Sequence, residues 1–281
     1  MQQDCRIGLV QMESRVNAVE DNLKTILDSA AAAAREQVTH LCFPEMALHG
    51  YAPGEAALIA EPLHSPRVRE IAACAQRFNM TLLVGMAEYN ERQPRKPYLS
   101  HLIALPDGQV RSYRKTHLGQ NEGEYFSAGE AFPIFVSHGV TFAVGICWDW
   151  HFPEVAGIYS LKGAEILFAP HASPAIAGDR KELWLRYLGT RAYDNSVYLG
   201  ACNLCGSNGQ GQAFSGGALV LGPKADLLAE AASGTPGILT IELSSARLNR
   251  IRQMQSSSMK ERFFLAERRK HLYRELIELD I

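Results

Sequence analysis

Short runs of apolar residues alternate with longer amphipathic stretches along the first ninety residues. The apolar runs at 6–12, 38–43 and 81–88 predict strands, and the spacing of apolar residues over 19–36 and 67–78 predicts helices. A β-α-β-α-β order is typical of an α/β sheet that has helices packed on it. We therefore expect the chain to begin with a mainly parallel sheet.

The middle of the chain departs from this alternation. Residues 98–105 and 110–118 flank an Asp-Gly turn at 106–108, which predicts a hairpin because Asp-Gly readily adopts positive φ. Apolar runs at 132–137 and 140–146 then predict two more strands.

The β-α pattern resumes after Pro153, with a helix that ends near Gly163. The remaining elements are predicted to be a strand over 165–169, a helix over 180–194, and strands over 197–203, 216–221 and 238–243. Two β-α rounds that flank a hairpin predict an α/β fold in which a pair of sheets is covered by helices. We place one domain over residues 1–245 and a helical C-terminal tail, whose apolar side needs a surface to cover it, over 246–281.

Composition excludes several classes of partner. The chain has 281 residues, 47% of them apolar, and a net charge of −2, so no global field favours nucleic acid or an anionic membrane. The chain has no run of about 18 apolar residues, the length that a membrane span needs. We therefore expect a cytoplasmic protein that binds neither nucleic acid nor membrane.

Six cysteines are scattered along the chain without a recognisable secretory signal, which favours free thiols over disulfides. Cys202 and Cys205 form the one C-x-x-C, but a zinc site would need a second pair or two suitably spaced histidines. The sequence therefore predicts neither a metal nor a cofactor.

Cys147 is the candidate nucleophile. It follows the apolar run 140–146 and precedes the helix that starts at Pro153, so its sulfur should lie at the carboxyl edge of a sheet. The positive end of that helix would favour the thiolate. The alternative for any single cysteine is a buried structural role, because free cysteine is among the most buried residue types.

A cysteine nucleophile needs a base or a cation beside it. His171, at the end of a predicted strand, would form a papain-like pair with Cys147. Glu45, directly after the strand at 38–43, and Lys115, near the end of the hairpin, offer another solution. A carboxylate in a dry site has a raised pKa and can accept the thiol proton, while an ammonium stabilises a thiolate or an oxyanion. Taken singly, each also fits an ordinary surface role.

Four motifs, in this order, resemble those of the nitrilase, or carbon–nitrogen hydrolase, superfamily. They are Phe43-Pro44-Glu45 with Gly50-Tyr51, the segment from Tyr113 to Leu118, the segment from Asn121 to Gly129, and the segment from Gly145 to Glu154. The resemblance continues through Trp184, residues 191–195, Asn203 and Ser215-Gly216, and so covers about residues 5–245.

This resemblance implies a four-layer α-β-β-α sandwich and a Glu-Lys-Cys triad. Glu45 would be the general base and then the acid, Lys115 the stabiliser of thiolate and oxyanion, and Cys147 the nucleophile. Glu122 matches a further glutamate that positions substrate, and Glu124 is the alternative in the same loop. The other candidate substrate-binding residues are Trp148, whose N–H would meet the oxyanion, Asp149, Tyr51 and His171.

Within the superfamily, the motif around Cys147 is most similar to those of amidases and N-carbamoylputrescine amidohydrolases. The expected reaction is hydrolysis of a non-peptide C–N bond in a small linear amide or N-carbamoyl amine, through a thioester on Cys147 and with release of ammonia. The alternatives are nitrile hydrolysis or acyl transfer by the same triad, and a binding protein without activity.

The charge near Cys147 suggests a substrate preference. Carbamoylases that act on amino acids carry arginine about where Trp150 and His151 stand, so we expect neutral or cationic substrates to be preferred over N-carbamoyl amino acids. Four cations on the following helix would reverse this if they reached the pocket: Arg180, Lys181, Arg186 and Arg191.

We also expect a homodimer or a higher homo-oligomer. The helix that starts at Pro153 and the apolar tail beyond Met254 offer surfaces that a monomer would leave partly exposed.

Overall fold

In the part of the chain that the structure describes, the fold consists of two six-stranded sheets, a small two-stranded hairpin and seven α-helices. A computed structural model describes residues 1–231, 234–253 and 258–279, without the side chains of Ala177 and Lys260. Met254, part of the predicted tail, lies outside these residues. The α/β prediction is confirmed.

The first sheet is built mainly from the N-terminal half of the chain. Its strand order is β14-β1-β2-β3-β4-β5, with β1, β2 and β3 parallel and the other neighbours antiparallel. The strands are β1 (Cys5–Gln11), β2 (His40–Cys42), β3 (Thr81–Glu88), β4 (Tyr98–Ala104), β5 (Val110–Arg114) and β14 (Gly237–Leu243).

The second sheet has the order β13-β12-β9-β8-β7-β6, in which β7, β8 and β9 are parallel. Its strands are β6 (Phe135–Ser137), β7 (Val140–Val144), β8 (Ile166–His171), β9 (Tyr198–Asn203), β12 (Ala218–Leu221) and β13 (Leu227–Ala231). A separate small hairpin pairs β10 (Cys205–Ser207) with β11 (Ala213–Ser215).

Three of the helices exceed ten residues, and sequence-encoded caps fix the starts of two of them. The Ser65 hydroxyl accepts a hydrogen bond from the N–H of Val68 ahead of α3, and the Asp179 carboxylate accepts one from Glu182 ahead of α5. The helices are α1 (Val19–Arg35), α2 (Ala56–Ile59), α3 (Pro66–Arg77), α4 (Pro153–Leu161), α5 (Arg180–Asn195), α6 (Ser245–Gln253) and α7 (Glu275–Glu278).

The sheets pack face to face, and helices cover both outer surfaces. Leu23 and Ile26 of α1 belong to an apolar cluster with the outer side of the first sheet, and Tyr159 and Trp184 of α4 and α5 belong to a cluster with the second. Between the sheets, a Cβ on Gly200 would lie 3.0 Å from the Leu9 side chain, so this glycine permits close packing. The predicted four-layer α-β-β-α sandwich is confirmed.

Three strands escaped prediction. The hairpin β10–β11 has only three residues in each strand, and the edge strand β13, Leu-Leu-Ala-Glu-Ala, lacks β-branched and aromatic residues. Helix α6 lies in the predicted helical tail, begins at the predicted domain boundary at residue 245, and buries Leu248 and Ile251. The predicted helix at the end of the tail is one turn, α7.

Within the described ranges, no helix has both the length and the apolar character that crossing a bilayer requires. The cytoplasmic location stays a prediction.

Candidate active site

Cys147 lies on a tight turn where the chain leaves the second sheet. Strand β7 ends at Val144, and a 3₁₀ turn runs from Cys147 to His151. Cys147 has a φ of +46°, a left-handed conformation that costs about 1 kcal/mol or more for a non-glycine residue. Gly145 is required here because a Cβ would lie 2.7 Å from the ring of Trp150. The turn therefore holds the thiol in one strained position.

Asp149 ties this turn to the hairpin. Its carboxylate accepts hydrogen bonds from the N–H of Ile146 at 2.8 Å, the Tyr113 hydroxyl at 2.8 Å, the Thr116 hydroxyl at 2.9 Å and the N–H of His117 at 2.9 Å. Burial alone would raise the pKa of Asp149, but hydrogen bonds from His117 and the N–H of Ile146, together with the charge of Lys115, lower it, so the carboxylate is charged. Asp149 is fully buried and not in the wall of the cavity described below, so it positions Cys147.

Glu45 is held at the edge of the first sheet, just beyond β2. Gly85 of the neighbouring strand β3 makes room for this segment, since a Cβ there would lie 2.3 Å from the nitrogen of Met46. One carboxylate oxygen of Glu45 accepts a hydrogen bond at 2.8 Å from the N–H of Ala172, which follows β8 of the second sheet. The carboxylate is therefore fixed from both sheets.

Lys115 lies between two carboxylates. It follows β5 directly, is only 1% exposed, and its Nζ donates to Glu45 Oε1 at 2.8 Å and to Glu122 Oε1 at 2.9 Å. Glu122 also accepts hydrogen bonds from the Tyr51 hydroxyl at 2.8 Å and the N–H of Gly119 at 2.7 Å. Of the two glutamates in this loop, Glu122 thus joins the cluster, whereas Glu124 is exposed and absent from the cavity wall.

A cavity of about 330 Å³ unites these groups and is the active-site cavity discussed below. Its wall contains the proposed triad, Glu45, Lys115 and Cys147, together with Glu122, Tyr51 and Trp148. This volume, at the lower end of typical ligand pockets, suits a small molecule. The structure thus brings six of the nine predicted site residues to one cavity.

Burial is the largest single influence on the pKa of each triad residue. Burial and the nearby Glu122 carboxylate raise the pKa of Glu45 to about 7, although Lys115 opposes this. Burial likewise disfavours the charged form of Lys115, but the acidic groups Glu45, Cys147 and Glu122 outweigh it and raise the lysine pKa. Lys115 is therefore cationic, and Glu45 can accept or donate a proton near neutral pH.

The Cys147 thiol is protonated at rest. Burial and the Glu45 carboxylate raise its pKa to about 12, and the opposing effect of Lys115 is smaller. The expectation that a helix terminus would favour the thiolate is wrong, because helix α4 begins only at Pro153 and two carboxylates face the sulfur. The nucleophile must therefore lose its proton to Glu45 as it attacks.

His171 lies behind the cavity wall. Its Nδ1 pairs with the carbonyl of Ala169 at 2.7 Å, and its Nε2 is 3.2 Å from the indole nitrogen of Trp184 and 3.1 Å from the Tyr187 hydroxyl. Burial and Arg180 hold the histidine pKa well below its usual range, so the ring is neutral. His171 is fully buried and absent from the cavity wall, so it supports Tyr187 from behind.

Several wall residues were not predicted: Ser173, Tyr187 and Gln212. The Ser173 hydroxyl lies 3.8 Å from Cys147 Sγ, and its N–H donates to Asn203 at 2.8 Å. Ser173 could have been found, since it follows a strand end just as His171 does. Tyr187 lies inside helix α5, and Gln212 lies in the turn of the hairpin β10–β11, which was not predicted, so neither offered such an indication.

Of the four helix cations considered above, only Arg180 lines the cavity. Lys181 pairs with Glu230 at 2.6 Å, and Arg186 pairs with Glu182 one turn earlier. Arg191 donates to the backbone carbonyls of Trp150 and His151. The expected preference for neutral or cationic substrates depended on a pocket in which Lys115 is the only cation. Arg180 is a second cation in the cavity wall, so the reason for that preference no longer holds.

The pKa of Glu45 predicts a pH profile. As the general base, Glu45 must be deprotonated to take the thiol proton, so kcat/KM should rise with pH along a limb centred at about 7. Glu122→Gln removes the like charge that raises this pKa and should move the limb to lower pH. Steady-state kinetics of both proteins between pH 5 and 9 tests this. A limb that stays in place in the variant would contradict the coupling.

Comparisons with known proteins agree with this geometry. The sequence model of the carbon-nitrogen hydrolase family matches residues 6–253. An (R)-stereoselective amidase from Pseudomonas sp. is 29% identical over 80% of each chain. A deaminated glutathione amidase from Synechocystis sp. is 29% identical over 91% of this chain and 97% of its own.

A solved structure shows the same fold with a modified cysteine. It is a variant of the amidase from Nesterenkonia sp. AN1, superposes with a TM-score of 0.82 at 26% identity, and covers 98% of both chains. In that protein the acetamide moiety of fluoroacetamide is covalently attached to the active-site cysteine. The match along the chain, the shared fold and the cysteine-centred cavity lead to one conclusion: this chain belongs to the carbon–nitrogen hydrolase family and is a hydrolase of that family.

Proposed function

We propose that this chain is an amidase that hydrolyses a small linear amide or N-carbamoyl amine through a thioester on Cys147. The observation that carries the proposal is the contact of Lys115 with both Glu45 and Glu122 in a cavity whose wall also includes the Cys147 thiol. Such a site holds a base, a cation and a nucleophile together, as acyl transfer requires.

In the first half of the reaction, Cys147 Sγ attacks the carbonyl carbon while its proton passes to Glu45. Negative charge then develops on the carbonyl oxygen, where the Lys115 ammonium and the N–H of Trp148 stabilise it. Trp148 stands in the first turn of the 3₁₀ segment, where N–H groups lack partners inside the turn. Glu45 returns the proton to the departing nitrogen. With an amide, this nitrogen leaves as ammonia, and the acyl group remains bound to Cys147 as a thioester.

In the second half, water attacks the thioester carbon. Glu45, again a carboxylate, takes a proton from the water, and the tetrahedral intermediate meets the same two donors. The C–S bond breaks, the sulfur recovers its proton, and the acid is released. With an N-carbamoyl amine, the amine is the leaving group of the first half, and the carbamate released in the second half decomposes to carbon dioxide and ammonia.

A substrate panel with mass spectrometry tests this proposal. The purified protein is incubated with aliphatic amides, N-carbamoyl amines and the matching nitriles, and ammonia release and the intact mass are followed. We expect ammonia from amides and an acyl adduct that peptide mapping places on Cys147. Turnover without any adduct, or an adduct on another residue, would contradict the thioester route. Added hydroxylamine reports acyl transfer as a hydroxamate.

We also propose that the chain forms a homodimer or a higher homo-oligomer. Its C-terminal tail leaves large apolar side chains in solvent: Leu272 is 52% exposed, Leu276 63% and Ile277 87%. A second copy that packs on the tail would bury them. Light scattering should give at least twice the chain mass for the full protein and a smaller assembly for a chain that ends at Gln253. A full-length monomer would contradict the proposal.

A further inference from the structure

Arg180 is a cation in the active-site cavity that the reaction described above does not use. It is the first residue of α5, and its side chain lines the cavity together with His151 and Tyr187. Its Nε is buried without a hydrogen-bond partner, and it makes no ion pair with any carboxylate in the described part of the chain. A buried N–H without a partner is energetically costly. A hydrogen-bond acceptor on a ligand would satisfy this donor.

The other cation of the cavity is already neutralised. Lys115 contacts both Glu45 and Glu122 at hydrogen-bond distance, so neither carboxylate is free to pair with Arg180. Arg180 also stands in the first turn of a helix, where the helix dipole disfavours a positive charge. A positive charge is therefore unfavourable at this position unless an anion pairs with it.

Positioning residues hold the guanidinium in place. Arg180 lies beside the Tyr187 hydroxyl, which pairs with His171 Nε2 at 3.1 Å. That nitrogen also accepts the indole N–H of Trp184, and Nδ1 of the same ring donates to the carbonyl of Ala169. The chain of contacts from Ala169 through His171 and Tyr187 thus supports Arg180 from behind.

We infer that Arg180 binds a carboxylate of the substrate, so that the preferred substrates are amides or N-carbamoyl compounds that carry an acid group away from the scissile C–N bond. Arginine presents a planar fork of N–H donors that matches a carboxylate. The inference rests on the proposed amidase function and specifies which amides the cavity selects. It reverses the preference expected from the sequence.

Matched substrate pairs test the inference. Succinamate and butyramide differ by a carboxylate in the acyl part, and N-carbamoylglycine and N-methylurea differ by a carboxylate in the amine part. We expect kcat/KM to favour the acid by about 10- to 100-fold in at least one pair, the size of a hydrogen bond between charged groups. The pair that shows the preference tells which part of the substrate faces Arg180.

Variants assign the preference to one side chain. Arg180→Gln should lower the acid-to-neutral ratio of kcat/KM to about 1, and Arg180→Lys should retain part of it because the charge remains. Lys181→Gln is the control, since it removes the same charge from the next residue, which pairs with Glu230 outside the cavity. That variant should keep the wild-type ratio.

The outcomes separate this inference from the proposed function. Two outcomes would overturn the role of Arg180 and leave the amidase function standing. In one, the wild-type enzyme hydrolyses butyramide or N-methylurea and prefers neither acid; in the other, it prefers an acid but Arg180→Gln leaves that preference unchanged. Failure of the wild-type enzyme on every amide and N-carbamoyl compound would reject both. The wild-type ratio decides the matter even if a variant does not fold.

Discussion

Cys147→Ala should lower kcat/KM for any amide substrate by at least about 10⁴-fold, because removal of a covalent nucleophile eliminates the thioester route and leaves only binding and oxyanion stabilisation. The fold should survive. Cys147 is at the cavity wall and not in the core between the sheets, and alanine removes one sulfur atom from a position next to open space. The variant should unfold at a temperature close to that of the wild-type protein and should still bind an amide in titration calorimetry.

Cys74→Ala provides the matched control for this variant. Cys74 lies on α3, outside the active-site cavity, and is a core residue with 9% exposure. Its replacement should leave kcat/KM at the wild-type value. Residual turnover by Cys147→Ala above about one thousandth of wild type would mean that water attacks the amide directly.

Lys115→Met should have the second largest effect, because it impairs both catalysis and stability. Loss of an oxyanion donor lowers kcat by about 10²–10³-fold. Lys115 also stabilises the thiolate that forms when Cys147 loses its proton, so its removal lowers kcat further. Removing one partner of a buried ion pair costs about 3–5 kcal/mol, since Glu45 and Glu122 would face each other without the ammonium. Chemical unfolding and steady-state kinetics measure the two losses separately.

The stability loss in Lys115→Met should depend on pH. Burial raises the pKa of Glu45, and without the opposing effect of Lys115 this pKa rises further above its unfolded value, so the folded variant holds more protons than the unfolded chain. Its stability should therefore fall as pH rises from about 5 to 8. The partly exposed Lys96, which donates to the carbonyl of Gly123, is the control position, and Lys96→Met should show neither effect.

A second substitution separates charge from catalysis. Lys115→Met combined with Glu122→Gln leaves only Glu45 to be neutralised, so much of the lost stability should return at pH 7 while turnover stays as low as in Lys115→Met. Recovery of activity together with stability would show that Lys115 acts through folding alone.

Strand ends made most of the site predictable. Glu45, Lys115 and Cys147 each follow a strand directly or within three residues, and a sheet gathers such positions at one edge. The proton on Cys147 could not be predicted, because its pKa depends on burial and on carboxylates from distant segments. Local sequence predicts the helix start at Pro153, but the carboxylates of Glu45 and Glu122 that raise this pKa come from distant parts of the chain.

Arg180 and Lys181 show where sequence reasoning stops. They are adjacent, carry the same charge and begin the same helix, yet one lines the cavity and the other pairs with Glu230 on β13. Neighbours on a helix point about 100° apart, so the choice between them depends on how α5 is rotated against the second sheet. That rotation is set by tertiary packing of residues such as Trp184, which periodicity alone does not orient.

The hydrogen bond from Ala172 to Glu45 joins the two sheets at the reacting centre. Glu45 and Lys115 come from the first sheet, whereas Cys147 and Ala172 come from the second, so neither sheet alone contains a base and a nucleophile. During refolding, secondary structure can form within each half before the halves meet. The return of turnover therefore reports when the two sheets pack together, so the rate at which activity recovers measures the rate of that assembly step.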